Sequence, residues 1–219
     1  MTDDESTSAH TEPRSFLTCA TEVARLLGID DSVEETGAPR ARLLAHAARK
    51  PLLRREGMPE EWFGPLMAAA VHDPDPSFCR WFVEPAVYAF GRRRVAAALV
   101  DYLRSGTDTE RAGAARAWYS AGVSVYPERS PLYGPGGVRD PALDELEGVY
   151  DAWSEASMEV IADATDLGML DRLLYFLPTS RADYPVRLHP LLDTTLATVR
   201  AHPDPRIRNW ARTAGLDAV

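Results

Sequence analysis

The sequence predicts an all-α protein built as a short stack of antiparallel helix pairs. Short acidic turns recur ahead of apolar or Ala-rich runs: Asp73-Pro74-Asp75-Pro76, then Thr107-Asp108-Thr109-Glu110, then Pro203-Asp204-Pro205. Asp108 lies 33 residues after Asp75, a spacing at which stacked helix pairs repeat. Elsewhere apolar residues recur at steps of three and four, the helical period, and no stretch alternates as a half-buried strand would.

The elements follow in chain order. Residues 1–13 are polar, acidic and rich in Ser and Thr, which predicts a disordered tail. From Ser15, the spacing of Phe16, Cys19, Ala20, Val23, Leu26 and Leu27 predicts a helix, with Gly28 as its stop. Arg40 to Lys50 reads as a second helix with Leu43, Leu44 and Ala47 on one face, closed by Pro51. Pro59-Glu60-Glu61 opens a third, since Pro suits the first turn and acids suit the positive end of the helix dipole. Asp75 is expected to cap a helix from Pro76 to Phe90, kinked or split at Pro85 because proline lacks a donor and crowds the preceding turn. Arg92 to Arg104 forms the next, and Asp108 is expected to cap the one running through Ala121.

The stretch from Gly122 to Arg139 is too rich in Gly and Pro for a helix and reads as a long loop. Asp140 then begins a long amphipathic helix. Its apolar side carries Leu143, Leu146, Tyr150, Trp153, Val160 and Ala164; the opposite arc carries Asp144, Glu147, Asp151, Glu155, Glu159 and Asp163. Helices from Leu167 to Leu177, Val186 to Ala201 and Arg206 to Ala214 complete the chain. The domain expectation is a tail at 1–13 and one helical domain over 14–219, interrupted by the 122–139 loop.

Here the residues meet a family. Gly91-Arg92-Arg93-Arg94-Val95-Ala96-Ala97-Ala98-Leu99-Val100-Asp101-Tyr102-Leu103-Arg104-Ser105-Gly106-Thr107-Asp108-Thr109-Glu110-Arg111-Ala112-Gly113-Ala114-Ala115-Arg116-Ala117 resembles a HEAT-type repeat junction. In that family a helix pair ends in a short Asp-containing turn that opens an Arg- and Ala-rich helix. His202-Pro203-Asp204-Pro205-Arg206-Ile207-Arg208 resembles the same turn, so the likeness covers residues 72–121 and 202–214. It implies a short α-solenoid of HEAT-like antiparallel helix pairs, and it carries no catalytic residues to transfer.

Composition narrows the function classes. At 219 residues the chain is long enough to bury a real core, and 45% hydrophobic with 26% charged residues is ordinary for a globular protein. No run approaches the roughly 18 apolar residues of a membrane span, and the acidic N-terminus has no apolar stretch of the signal-peptide kind. A cytoplasmic protein with no membrane contact is expected. Cys19 and Cys79 sit in apolar helical contexts and read as reduced packing residues. No histidine stands at metal-ligand spacing from a cysteine or another histidine, and no phosphate loop, nucleophile elbow or zincin motif is present, so no cofactor or metal is expected.

Charge is uneven. Between Asp140 and Asp171 lie ten carboxylates and no Lys or Arg, enough to account for the whole net charge of −9. Thr36 to Arg55 holds six basic residues and no acid. Such blocks steer partners of opposite sign. The row Asp151, Glu155, Glu159, Asp163 offers either a surface for a basic partner or a solvated helix face; spread over roughly 18 Å, it is too long for one metal ion. Arg92-Arg93-Arg94 opens a helix at its positive end, which points to binding or to a carboxylate on a neighbouring helix.

The expected function is a non-enzymatic interaction module for a protein or peptide. Its candidate contact residues are Trp118, Tyr119, Tyr126, Glu128, Arg129, Tyr133 and Arg139 in and beside the loop, with Asp151, Glu155 and Glu159 on the acidic helix. Tyrosine and arginine dominate binding hot spots because each joins a large contact area to a polar tip. Two alternatives stay open: an acidic neutralising or regulatory partner of a basic protein, and a HEAT-like nucleic-acid-acting enzyme such as a DNA glycosylase. The negative charge disfavours nucleic acid, whose nonspecific binding comes from cations.

Overall fold

Ser15 starts the first helix as predicted: its hydroxyl accepts the Thr18 N–H at 3.1 Å, replacing a bond the first turn cannot make internally. Helix α1 (Phe16–Leu26) buries Cys19, Ala20, Val23 and Ala24 against α2 (Gly37–Arg54), whose contact face is Ala41, Leu44, Ala45, Ala48 and Leu52. The computed structural model describes residues 14–29, 35–55, 57–122 and 146–214. Pro51 does not close α2 but lies inside it. The lost donor falls in the last turn, where fully buried Leu52 still holds the chain in register.

A 3-10 turn at Glu60–Trp62 leads into α3 (Phe63–His72). Asp75 caps not a long helix but a turn, accepting the Ser77 N–H at 2.8 Å, and α4 (Arg80–Phe90) begins five residues later. Pro85 does not split α4. Residues 82–87 are all buried; each large apolar side chain among them gains about 1.5–3 kcal/mol, which outweighs the roughly 3 kcal/mol that an interior proline costs. Gly91, at φ 86°, makes the corner into α5 (Arg92–Ser105), a left-handed conformation that side chains other than glycine rarely adopt.

Helix α6 (Asp108–Gly122) starts one residue differently from expectation. Its cap is Thr107, whose hydroxyl accepts the Glu110 N–H while the Glu110 carboxylate accepts the Thr107 N–H at 2.8 Å. Asp108 lies inside this reciprocal Thr-x-x-Glu box. The tail at 1–13, the start of the long helix at Asp140 and the 122–139 loop beyond Gly122 lie outside the described residues.

Helix α7 (Glu147–Asp163) buries Trp153, Ser154, Ala156, Ser157, Met158 and Ile161. This arc is broader than the predicted stripe, and Tyr150 is half exposed. The reason is position: α7 is packed on by α5, α8 and α9, so no single side faces the core. Asp166 caps α8 (Leu167–Phe176), accepting the Met169 N–H at 2.6 Å. Two 3-10 turns, Arg181–Asp183 and Val186–Leu188, precede α9 (His189–Ala201). Asp204 then caps α10 (Pro205–Thr213), accepting the Arg206 N–H at 2.7 Å.

The protein is all-α among the described residues. Consecutive helices pack as α1 with α2, α3 with α4, α5 with α6, α7 with α8 and α9 with α10. Further contacts link α1, α3, α5, α7 and α9 in succession, and likewise α2, α4, α6, α8 and α10. One continuous apolar cluster runs through the chain from Cys19 to Ala214. Gly113 sits where α6 meets α3: a Cβ there would lie 1.9 Å from the Val71 carbonyl oxygen. No helix among the described residues is long and apolar enough to cross a membrane.

Candidate functional site

Helix α6 follows α3 closely at Gly113, while α8 packs along another part of its surface. A groove opens between α6 and α8. Its larger part, ≈ 810 Å³, is walled by Asp108, Arg111, Ala112 and Arg116 of α6 and by Glu159 and Asp163 at the end of α7. Asp166, Gly168, Met169 and Arg172 at the start of α8 complete it, with Arg104 of α5 at one side. A second part, ≈ 340 Å³, continues from Arg116 and Arg172 to Tyr119, Tyr175 and Phe176. One end is therefore lined by charges of both signs and the other by aromatic rings.

The cations are held in place. Arg116 donates from Nε to the Asp73 carbonyl at 3.2 Å and from Nη2 to the Val71 carbonyl at 3.3 Å, so it caps the negative end of α3. Burial, and then neighbouring Arg172, push the Arg116 guanidinium below its usual range. Arg111 donates to the Arg104 carbonyl at 3.3 Å and faces Asp108 at 3.5 Å. Arg172 donates to the Gly168 carbonyl at 3.2 Å. The aromatic end is the more open: Tyr119 is 57% and Tyr175 74% exposed.

The residues expected to bind a partner fall in different places. Tyr119 stands at the aromatic end of the groove and Glu159 on its charged wall. Trp118 is 7% exposed, its ring stacked on Trp153 with centroids 3.9 Å apart, so it joins α6 to α7. Asp151 is half-buried. Glu155 is bridged by Arg104 at 3.3 Å and Arg187 at 3.0 Å. Tyr126, Glu128, Arg129, Tyr133 and Arg139 lie outside the described residues. Of the triplet at the start of α5, Arg94 pairs with Glu60, ahead of α3, and not with the acidic helix.

Arg111, Arg116, Arg172 and Tyr175 were not foreseen. The signal for the first two was present, since they are the only charges among the small residues that follow Glu110 in α6.

Neither cysteine takes part. Burial pushes the thiols of Cys19 and Cys79 up to about 11, so both stay protonated near neutral pH. No histidine lines either part of the groove, and no group of three or more His, Cys, Asp or Glu side chains among the described residues is placed to hold a metal ion. The arrangement offers electrostatic grip and flat apolar contact. No family profile, curated protein or solved structure matches the chain.

Proposed function

We propose that the chain is a short HEAT-like α-solenoid, a non-enzymatic interaction module whose α6–α8 groove holds a segment of a protein or peptide partner. The succession of contacts from each helix to the second one after it supports a repeat stack. The observation that carries the binding role is the groove itself, open along its length, with ordered guanidinium groups beside two exposed tyrosines. Tyrosine and arginine contribute disproportionately to protein interfaces. A partner segment carrying both acidic and basic side chains, with an apolar residue at one end, matches the two parts of the groove. Glu155 is already engaged by two arginines, which favours the groove over the acidic row as the recognition surface.

The test is affinity capture from native lysate with the full chain and with the double variant Tyr119→Ala, Tyr175→Ala. The variant should keep its helical circular dichroism and lose the partner recovered by the unaltered chain. Equal recovery by both chains would remove the groove as the binding site.

A further inference from the structure

Helix α5 begins with an arginine in an unfavourable place. Arg92 is its first residue, so a cation sits at the positive end of the helix dipole. The side chain is 6% exposed and reaches the end of α6, where Nη1 donates to the Ala121 carbonyl. Nε and Nη2 are buried and meet no acceptor. Burial lowers the Arg92 pKa, with smaller opposing effects from Tyr150 and Tyr88. A guanidinium stays charged in proteins, so two buried donors without acceptors leave charge-assisted bonds unmade.

Arg92 lines a cavity of ≈ 230 Å³ whose other walls include Trp118, Tyr119, Val149, Tyr150 and Phe176. No carboxylate is among its described lining residues. Nε and Nη2 share one edge of the guanidinium plane, the edge that meets both oxygens of a carboxylate at once. The volume is below the roughly 300–1,000 Å³ of sites for drug-sized ligands, which limits the occupant to about one ring. A single cation amid apolar walls suits a single negative charge, because a second would be buried unpaired.

We propose that this cavity binds a small organic monocarboxylate with a flat apolar body, its two oxygens accepting from Nε and Nη2 of Arg92 and its body lying among Trp118, Tyr150 and Phe176. The cavity shares Tyr119 and Phe176 with the aromatic end of the groove, but its occupant is set by Arg92, so the proposal does not depend on the peptide-binding reading.

The full chain is titrated with phenylacetate and, in parallel, with phenylacetamide, which has the same shape and no charge, while tryptophan emission from the Trp118–Trp153 stack is followed. Phenylacetate should give a saturable change, at least about tenfold tighter than the amide, as bonds to a charged group imply. Arg92→Met, which keeps the stem and loses the charge, should abolish that preference. Val149→Trp, which fills the cavity without touching Arg92, should abolish binding, and it serves as the test if Arg92→Met does not fold. Equal affinity for the two probes, no saturable response to phenylacetate, or undiminished binding in Val149→Trp would overturn the proposal.

Discussion

Asp73 is fully buried, and Arg42 meets its carboxylate with two bonds, at 2.9 and 2.7 Å. The Asp75 N–H adds a third at 2.9 Å, so one carboxylate joins α2 to the turn that opens α4. The guanidinium of Arg42 also lies over the Phe78 ring, 4.5 Å from its centroid. Removing one partner of a buried pair costs roughly 3–5 kcal/mol, less here because Arg42 keeps some water and its aromatic contacts. Asp73→Ala should therefore lower stability by about 2–4 kcal/mol, read as the urea midpoint, and Asp73→Asn by less. The neighbouring His72 behaves differently. Its Nε2 is 3.6 Å from Glu110, yet burial outweighs the carboxylate and holds its pKa below the ordinary 6.5. Bonds from Thr107 hold Glu110 below its ordinary 4.5. Both groups take protons more readily when unfolded, so both favour the folded chain at higher pH. The urea midpoint should fall as pH drops below about 6.5 through His72 and again below about 4.5 through Glu110. His72→Gln should remove the upper step, and an unchanged upper step would refute the assignment.

At the scale of elements, α6 is decided by two small features. The Thr107–Glu110 box sets where it begins, and Gly113 sets how near it comes to α3. Alanine is the better helix former by up to about 1 kcal/mol, which alone would make Gly113→Ala stabilising. The clash decides otherwise, because the atom 1.9 Å away is a backbone oxygen at a helix crossing and cannot rotate aside. Overpacking typically costs 1–3 kcal/mol, so a thermal midpoint lower by roughly 3–10 °C is expected. A midpoint that rises would mean that α3 and α6 separate freely. Much of this level was legible: Ser15 with its apolar spacing, and Asp204 in the acidic turn beside the start of α10. The Thr107-x-x-Glu110 pattern is equally visible in the sequence, and it places the cap one residue before Asp108. Pro51 does not end α2 and Pro85 does not split α4, because local propensity is weaker than the burial of their neighbours.

For the whole molecule, the main question is how far cooperativity extends. If the helices form a repeat stack, α9 and α10 are the last described pair: α9 packs on α7, α10 on α8, and the two on each other. A chain ending at Pro178 should then remain helical, with a lower melting temperature and a smaller denaturant slope, since less surface is exposed on unfolding. Loss of all helical signal would show that the core cannot be shortened. The groove belongs to this scale as well. Arg116 and Arg172 line it from α6 and α8, which are far apart in the chain.

The sequence by itself determined that the described residues are helical, where α1, α5 and α8 start, and which residues are too apolar to stay wet. Those outcomes depend on bonds and spacings within a few residues. It also determined the acidic excess of α7. Only the tertiary structure decided that Glu155 is bridged by two arginines, that Trp118 stacks on Trp153, that Arg116 caps α3, and that Arg92, with two buried donors lacking acceptors, lines an aromatic cavity. Each depends on which helices meet and at what height, which local periodicity does not encode.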